Sequence, residues 1–209
     1  MTEISRDAVD PAAFWDERYA TPDYVFGTEP NRWLVANEAL LKPGMTALVP
    51  GDGEGRNGVW LAERGLAVTS IDVSPIGVEK AARLAARRGV AMQIGRADLR
   101  DWQPPDTRFD VAVLAFVHIG AADRQAVHRK IAGTLRSNGH LILEGFTPDH
   151  LGYGKGGPKA EAMMFTERRL REDFVGLDIL HLEALKTELP ASERHGGMAA
   201  VIRLLARKP

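Results

Sequence analysis

Three glycines at alternate positions form the stretch of this sequence best suited to hold a small molecule. Residues 50–57 read Pro-Gly-Asp-Gly-Glu-Gly-Arg-Asn and lie between an apolar run, 45–49, and a helix-like stretch, 59–63. Glycine lets the backbone turn sharply and leaves no Cβ in the way of a ligand. The helix that follows would direct unpaired N–H groups and the positive end of its dipole at the bound molecule. We call residues 50–57 the glycine turn and predict that it binds a cofactor.

The register and charge of the glycine turn indicate which cofactor it takes. Residues 53–58 formally match the dinucleotide fingerprint, but that register would carry the preceding strand through Pro50, which cannot donate a ladder hydrogen bond. Gly51 is therefore favoured as the first glycine. The carboxylates of Asp52 and Glu54 would repel a pyrophosphate and tolerate an ammonium and a sulfonium. S-adenosylmethionine carries both cations and is the predicted cofactor; an NAD(P)-binding Rossmann oxidoreductase and a non-catalytic S-adenosylmethionine-binding protein are the alternatives.

Composition narrows the class of protein. The 209 residues are 44% hydrophobic and 26% charged, which is typical of a globular protein with one sizeable core. A net charge of −1 argues against a nucleic-acid partner, and the absence of cysteine excludes disulfides, thiolate metal sites and cysteine nucleophiles. We find neither an apolar signal core nor a run long enough to span a membrane. The expectation is a cytoplasmic protein with no membrane partner, made of a single domain, 1–209.

Strand-like and helix-like stretches alternate after the glycine turn. Strands are predicted over 45–49, 66–72, 90–94, 109–116 and 140–144, and helices over 75–88 and 123–136. This alternation predicts an α/β fold with a parallel, doubly wound sheet, whose ligands bind at the carboxyl ends of the strands. A short helix over 166–173 precedes two stretches, 177–185 and 199–206, which are predicted to pair antiparallel at the sheet edge.

The first 44 residues are predicted to be helical and to precede the sheet, which occupies 45–209. Asn31 caps one of the predicted helices, and Trp15 and Tyr19 could share one face of another. Two interpretations remain open for these aromatic side chains. They form a lid over the cofactor, or they belong to a helical pair packed on the sheet edge.

Two aspartates follow neighbouring predicted strands. Asp72 lies 21 residues after Gly51, where this kind of fold places an acid that binds ribose hydroxyls. Its alternative role is to start the turn at Ser74-Pro75. Asp98, just past the third strand, could accept a hydrogen bond from the amine of an adenine, or be a solvated loop residue. The glycine turn, Asp72 and Asp98 would form a line across adjacent strand ends.

These motifs resemble the successive cofactor motifs of class I S-adenosylmethionine-dependent methyltransferases. Within that superfamily, residues 14–19, 24–31 and 51–57 are similar to the thiopurine and tellurite-resistance type of small-molecule methyltransferases. The resemblance implies a seven-stranded Rossmann-like sheet with an antiparallel last strand, and no metal. It implies that the glycine turn holds the methionine portion, Asp72 the ribose and Asp98 the adenine. One departure is that Val49-Pro50 stands where the family often has an acid that orients the methionine amino group, a role that Asp52 could take over.

The predicted cofactor-binding residues include the glycine turn, the two strand tips and flanking aromatic residues: Trp15, Tyr19, Gly51, Asp52, Gly53, Gly55, Arg56, Asn57, Asp72, Val73, Ser74, Ala97, Asp98, Leu99 and Phe116. A sulfonium methyl is already activated, so the protein mainly has to place the acceptor in line with it and exclude water.

A general base is needed only for an acceptor that arrives protonated. His118, directly after the central strand, is the candidate catalytic residue, and packing at a strand end is its alternative role. Glu144 either faces the same cleft or pairs with an arginine. The predicted acceptor-side residues are Tyr24, Glu144, Arg194 and His195. The acceptor is expected to be a small molecule that presents a thiol, an oxygen, a nitrogen or a metalloid oxyanion, and the protein to be a monomer or homodimer.

Overall fold

A seven-stranded sheet organises the molecule. The computed structural model describes residues 10–106, 108–153, 156–191 and 196–209. The strands are β1 (Thr46–Pro50), β2 (Ala67–Asp72), β3 (Gln93–Arg96), β4 (Phe109–Ala115), β5 (Leu135–Phe146), β6 (Asp178–Leu189) and β7 (Gly197–Arg207). Their order is β3-β2-β1-β4-β5-β7-β6; β1 to β5 pair in parallel, and β7 runs antiparallel to both of its neighbours. The predicted fold class is confirmed.

Six α-helices are found in the described part of the chain. They are α1 (Pro11–Tyr19), α2 (Arg32–Ala36), α3 (Arg56–Glu63), α4 (Pro75–Arg88), α5 (Ala121–Gly133) and α6 (Glu167–Asp173). Short 3₁₀ helices cover Glu38–Leu40, Pro148–Tyr153 and Glu161–Met163. None of these helices is long and apolar enough to cross a membrane.

Local sequence explains where α4 begins and ends. The Ser74 hydroxyl accepts the N–H of Gly77 at 2.9 Å, Pro75 occupies the first turn, and Gly89 ends the helix with φ +68°. The N–H of Val90 still bonds to the carbonyl of Ala85 at 3.1 Å, so the third strand begins at Gln93 and not at Val90 as predicted.

Alternate residues of the central strands face the two sides of the sheet. Leu48, Ala112 and Leu114 belong to the hydrophobic cluster that includes Ile131 of α5, whereas Val49 and Val113 belong to the one that includes Leu61 of α3. Both faces are covered, as expected for a parallel sheet with helices on each side.

The region between α5 and β5 differs from the prediction. The helix ends at Gly133 and the strand begins at Leu135, whereas the sequence pattern predicted a helix to 136 and a strand from 140. The N–H of Phe109 bonds to the carbonyl of Thr134 at 2.9 Å, and the N–H of Asn138, at φ +63°, bonds to the carbonyl of Lys208 at 2.8 Å. Contacts with β4 and the chain end therefore extend β5 through a segment that reads locally as a turn.

The N-terminal region is attached to the first half of α4. Asp16 of α1 accepts hydrogen bonds from the Ser74 hydroxyl and from the N–H of Ile76, the latter at 3.3 Å. The ammonium of Lys80 donates to the carbonyls of Tyr19, at 3.1 Å, and Asp23, at 2.6 Å. These contacts hold α1 beside the carboxyl ends of β1 and β2.

Candidate functional site

A cleft of about 480 Å³ opens at the carboxyl ends of the parallel strands. It brings together most of the residues predicted from the sequence. The predicted residues that line it are Trp15, Tyr19, Gly51, Asp52, Arg56, Asn57, Asp72, Val73, Ala97, Asp98, Leu99, Phe116 and His118. Side chains from α1 and from the loop after it form one wall, and the strand tips form the floor.

The glycine turn packs too closely for side chains at its glycines. Gly51, Gly53 and Gly55 all have positive φ, at +67°, +58° and +89°. A Cβ at Gly53 would overlap the hydroxyl of Tyr19, and one at Gly55 would lie 2.7 Å from the Cβ of Ala81 on α4. The turn therefore needs glycine both for its conformation and for the close approach of α1 and α4.

Asp72 starts the turn at Ser74-Pro75, the alternative role considered from the sequence, and it also lines the cleft. Its Oδ1 accepts the N–H of Ser74 at 2.9 Å, and its Oδ2 accepts the N–H of Gly53 at 2.8 Å. Burial raises its pKa, although these hydrogen bonds favour the carboxylate. A carboxylate has about four lone-pair positions, so Asp72 can still accept a hydrogen bond from a ligand.

Asp98 lies beside Asp72 on the neighbouring strand tip. Asp72 pairs with Arg96 in the β2–β3 ladder, and the N–H of Ala97 bonds to the carbonyl of Asp72 at 2.9 Å. The carboxylate of Asp98 is held by the guanidinium of Arg100, 2.6 Å away, and this hydrogen bond lowers its pKa. The two acids are therefore adjacent at the edge of the cleft, in the line that the sequence predicted.

Three carboxylates and two cations surround the glycine turn. Asp52 accepts the Ser70 hydroxyl at 3.0 Å and the N–H of Gly58 at 3.1 Å, and burial raises its pKa to about 6. Glu54 lies 2.5 Å from the ammonium of Lys80, and both side chains are almost fully buried. Asp72 is the third carboxylate. The second cation is Arg56, whose pKa is lowered by burial.

Aromatic side chains form the wall contributed by the N-terminal region. The rings of Trp15 and Tyr19 stack at 5.5 Å, and Phe26 contacts both edge-on. Burial raises the pKa of Tyr19 well above its usual value, with Asp72, Glu54 and Asp52 adding to the effect. The Tyr19 hydroxyl therefore stays protonated and faces the glycine turn.

His118 lines the cleft with both ring nitrogens engaged. Its Nε2 accepts the N–H of Phe146 at 3.1 Å, so Nδ1 carries the proton and donates to the carbonyl of Met163 at 2.9 Å. Burial lowers its pKa to about 4. The ring is therefore neutral near pH 7, and its free lone pair is already used by the backbone of β5. This arrangement matches the packing alternative for His118.

Phe116 has a strained backbone at the end of β4. Its φ is +60°, an uncommon value for a residue with a bulky side chain, and its N–H donates to the carbonyl of Glu144 at 2.7 Å. Such strain is often found at functional sites. The conformation sends the chain from β4 into the cleft wall formed by residues 116–120.

Several predicted residues do not line the cleft. Gly53 lies against Tyr19 and Gly55 against Ala81 of α4. Ser74 caps α4, and its hydroxyl donates to Asp16. The hydroxyl of Tyr24 donates to the carbonyl of Lys80 at 2.9 Å, so this ring packs on α4 instead of facing an acceptor. Arg194 and His195 lie outside the described residues.

Glu144 is a buried structural acid. It accepts from the guanidinium of Arg203 at 2.7 Å and from the amide of Asn31 at 2.6 Å. The arginine pairing considered from the sequence is therefore what the structure contains. Asn31 also donates its backbone N–H to the side chain of Asn57, so this network joins α2, α3 and the sheet.

Sequence reasoning missed the residues that attach α1 to the sheet. Asp16 and Lys80 were not singled out, although the position of Lys80 gave a signal. It lies on the stripe of α4 that includes Gly77, Ala81 and Leu84, all of which are buried. A lysine inside an apolar stripe indicates a buried partner, which here is Glu54.

The sheet order and the cleft at its carboxyl edge define the methyltransferase type of Rossmann-like fold. Residues 47–139 match the family described as a methyltransferase domain. This match agrees with the predicted enzyme class, and methyltransferases of the same fold have been solved with S-adenosylmethionine or S-adenosylhomocysteine bound, which agrees with the predicted cofactor. No curated protein sequence matches the chain significantly.

Solved structures share this fold along most of the chain. A protein studied for the conversion of a disulfide bond into a thioacetal group during echinomycin biosynthesis has a TM-score of 0.76 and 19% identity, over 94% of this chain and 89% of that one. The N-methyltransferase NodS from Bradyrhizobium japonicum, in complex with S-adenosyl-L-homocysteine, has a TM-score of 0.72 and 15% identity, over 95% and 98% of the two chains. TehB from Haemophilus influenzae has a TM-score of 0.70 and 17% identity, over 95% and 67%. At these identities the likeness is one of fold.

Proposed function

We propose that this enzyme transfers the methyl group of S-adenosylmethionine to a small-molecule acceptor, with the whole chain acting as one cytoplasmic domain. The observation that carries the proposal is that the glycine turn, Asp72 and Asp98 lie in a line across neighbouring strand tips. The aromatic wall of Trp15, Tyr19 and Phe26 stands beside this line. NodS, named as an N-methyltransferase, shares the fold.

The donor set fits the predicted cofactor. Asp52, Glu54 and Asp72 place negative charge where an ammonium and a sulfonium would lie, and Arg56 provides a guanidinium for a carboxylate. Asp72 can still accept from ribose hydroxyls. Asp98 is the candidate for the adenine amine, which would replace part of its present contact with Arg100. When bound, the cofactor supplies an activated methyl group.

We assign the acceptor to the apolar part of the cleft. Phe26, Phe116, Val117, Phe146 and Met163 lie in the cleft lining, as does Lys159. These residues would exclude water and orient a flat or apolar acceptor next to the methyl group. His118 acts here as a positioning residue, because it fixes the backbone of Phe146 and Met163 through its two ring nitrogens.

The acceptor is a small thiol, oxygen, nitrogen or metalloid nucleophile, as in the thiopurine and tellurite-resistance type. The fold shared with TehB supports this narrower assignment, together with the similarity of residues 14–19, 24–31 and 51–57 to that type. The lid predicted over 1–44 is supported by α1, whose side chains form one wall of the cleft; residues 1–9 of that prediction lie outside the described residues. Arg194 and His195 stay candidates for binding an anionic acceptor.

Two measurements test the proposal. Calorimetry of the purified protein should detect binding of S-adenosylhomocysteine and no comparable binding of NAD. An assay of S-adenosylhomocysteine release from S-adenosylmethionine, with pooled thiols, phenols, amines and metalloid oxyanions, should then give acceptor-dependent turnover. Tight NAD binding alone would overturn the choice of cofactor, and cofactor binding without turnover on any pool would favour a non-catalytic binding protein.

A further inference from the structure

We propose that Glu54 is the residue that accepts the ammonium group of the bound cofactor, a role that rests on the proposed function. The residue lines the cleft although it is only 4% exposed. Its Oε1 is paired with Lys80, whereas its Oε2 is buried and has no hydrogen-bond partner among the described residues. A buried carboxylate oxygen without a donor is costly, and a ligand that brings an N–H donor would remove that cost.

The other nearby acids are already engaged. Asp52, the sequence-based candidate for this role, accepts both the Ser70 hydroxyl and the N–H of Gly58. Asp72 accepts two backbone N–H groups, from Gly53 and Ser74. Pro50 ends β1, so no acid is available there. Of the three carboxylates at the glycine turn, Glu54 alone retains an oxygen with no donor within the described part of the chain.

The charges around the turn favour a cationic ligand. Asp52, Glu54 and Asp72 contribute three negative charges when ionised, against the two positive charges of Lys80 and Arg56. S-adenosylmethionine has an ammonium, a sulfonium and a carboxylate, and therefore a net charge of +1. Its binding would offset part of the negative charge, to which Asp16 beside Asp72 also contributes. The Glu54 oxygen that does not face Lys80 is the proposed acceptor for the ammonium.

Lys80 holds Glu54 in place for this contact. The lysine is 1% exposed and donates to the carbonyls of Tyr19 and Asp23 as well as facing Glu54. Its ammonium is therefore fixed from three directions, and it restrains one oxygen of the carboxylate and leaves the other, which is buried, without a donor among the described residues. The same lysine links this contact to the loop after α1.

The test compares two ligands that differ in the amino acid portion. S-adenosylhomocysteine carries the ammonium and the carboxylate, whereas 5′-methylthioadenosine lacks both and keeps the adenosine and sulfur. By calorimetry, Glu54→Gln should weaken S-adenosylhomocysteine at least tenfold and change the Kd of 5′-methylthioadenosine less than twofold. The matched control, Asp72→Asn, acts on the ribose and should weaken both ligands.

A second variant separates the contact from the fold. Glu54→Gln leaves Lys80 without its ion-pair partner, so the neutral pair Glu54→Gln/Lys80→Met is measured beside it, with melting curves for each protein. The selective loss of S-adenosylhomocysteine should appear in both variants. Unchanged binding of S-adenosylhomocysteine in either folded variant, or equal weakening of both ligands, would overturn the role of Glu54. Wild-type protein that binds neither ligand would instead overturn the proposed function.

Discussion

At the scale of single residues, the cleft is defined by acids that are buried and yet held by a few donors. Asp72 shows the consequence, because one carboxylate both closes the turn at Ser74 and braces Gly53. The two alternatives weighed from the sequence, turn residue and cofactor ligand, therefore do not exclude each other. Its oxygens can satisfy the backbone first and a ribose afterwards.

Replacing Asp72 with alanine should weaken S-adenosylmethionine at least tenfold, or about 1.4 kcal/mol. The change removes the proposed ribose acceptor and frees the N–H of Gly53, which shapes the glycine turn. Calorimetry measures the Kd, and Asp178→Ala on the exposed edge strand is the control for loss of a carboxylate. An unchanged Kd in Asp72→Ala would contradict the ribose role.

Asp52 should make the stability of the ligand-free protein depend on pH. Its pKa is raised from 3.8 to about 6, so the stability it contributes is present below its unfolded pKa and is lost as the pH rises through about 6. Asp52→Asn can still accept the Ser70 hydroxyl and has no charge to bury. Relative to wild type, this variant should gain up to about 3 kcal/mol between pH 4 and pH 7.

Denaturant unfolding of both proteins at several pH values measures this difference. His118 acts in the opposite direction, because its pKa is lowered to about 4 and its contribution is lost as the pH falls from 6.5 towards 4. It is present in both proteins and therefore cancels in the comparison. A difference that stays flat with pH would show that Asp52 keeps an ordinary pKa.

The sequence could indicate which residues carry charge at the cleft, and it could not indicate their partners. The line of Asp72 and Asp98 followed from parallel strands that end at one edge. Ser74 and Glu144, by contrast, are bound to Asp16 and Arg203, which lie 58 and 59 positions away in the chain. Only the folded chain brings such partners together, and the same holds for His118, whose two alternative roles could not be separated without its partners Phe146 and Met163.

At the scale of elements, the glycine turn is packed between α1 and α4. Gly53 faces the hydroxyl of Tyr19, and Gly55 faces Ala81 of α4. The absence of a Cβ at these glycines therefore allows α1 and α4 to pack closely against the turn, in addition to leaving space for a ligand. This packing could not be inferred from the glycine spacing alone, which predicts a turn but not what lies against it.

Gly53→Ala should destabilise the protein by several kcal/mol. The backbone at position 53 has a positive φ, which alanine disfavours, and the new Cβ would overlap the Tyr19 hydroxyl. Gly89→Ala is the matched control, since Gly89 also has a positive φ, +68°, but nothing within 4 Å of a Cβ there; it should cost only about 1–2 kcal/mol. Adding Tyr19→Phe to Gly53→Ala should restore part of the loss. Equal unfolding free energies for the two glycine variants would refute the packing argument.

Element prediction succeeded where local signals were strong. The bounds of α4 were predicted from Ser74-Pro75 and Gly89, because caps and glycine stops act within a few residues. It failed at β5, where long-range pairing with β4 and the chain end overrides a local Ser-Asn-Gly turn. Tertiary hydrogen bonds decided that boundary.

At the scale of the whole molecule, the N-terminal region completes a cleft that the sheet alone leaves open. Asp16 connects this region to the start of α4, and Asn31 connects it to Asn57 of α3 and Glu144 of β5. Of the two interpretations drawn from the sequence, the lid is supported by this arrangement, because α1 packs on α4 beside the cleft. The aromatic residues of α1 pack together, and they also line the cleft.

Asp16→Ala should loosen this region without unfolding the sheet. The change removes the acceptor for the Ser74 hydroxyl and the N–H of Ile76, contacts worth about 1 kcal/mol each. Amide hydrogen exchange should quicken in α1 and remain slow in β4 and β5. The Kd for S-adenosylhomocysteine should rise several-fold because a wall of the cleft is mobile, and saturating ligand should restore slow exchange, since binding requires the closed wall. Faster exchange throughout the sheet would mean that Asp16 supports the whole fold and not the lid.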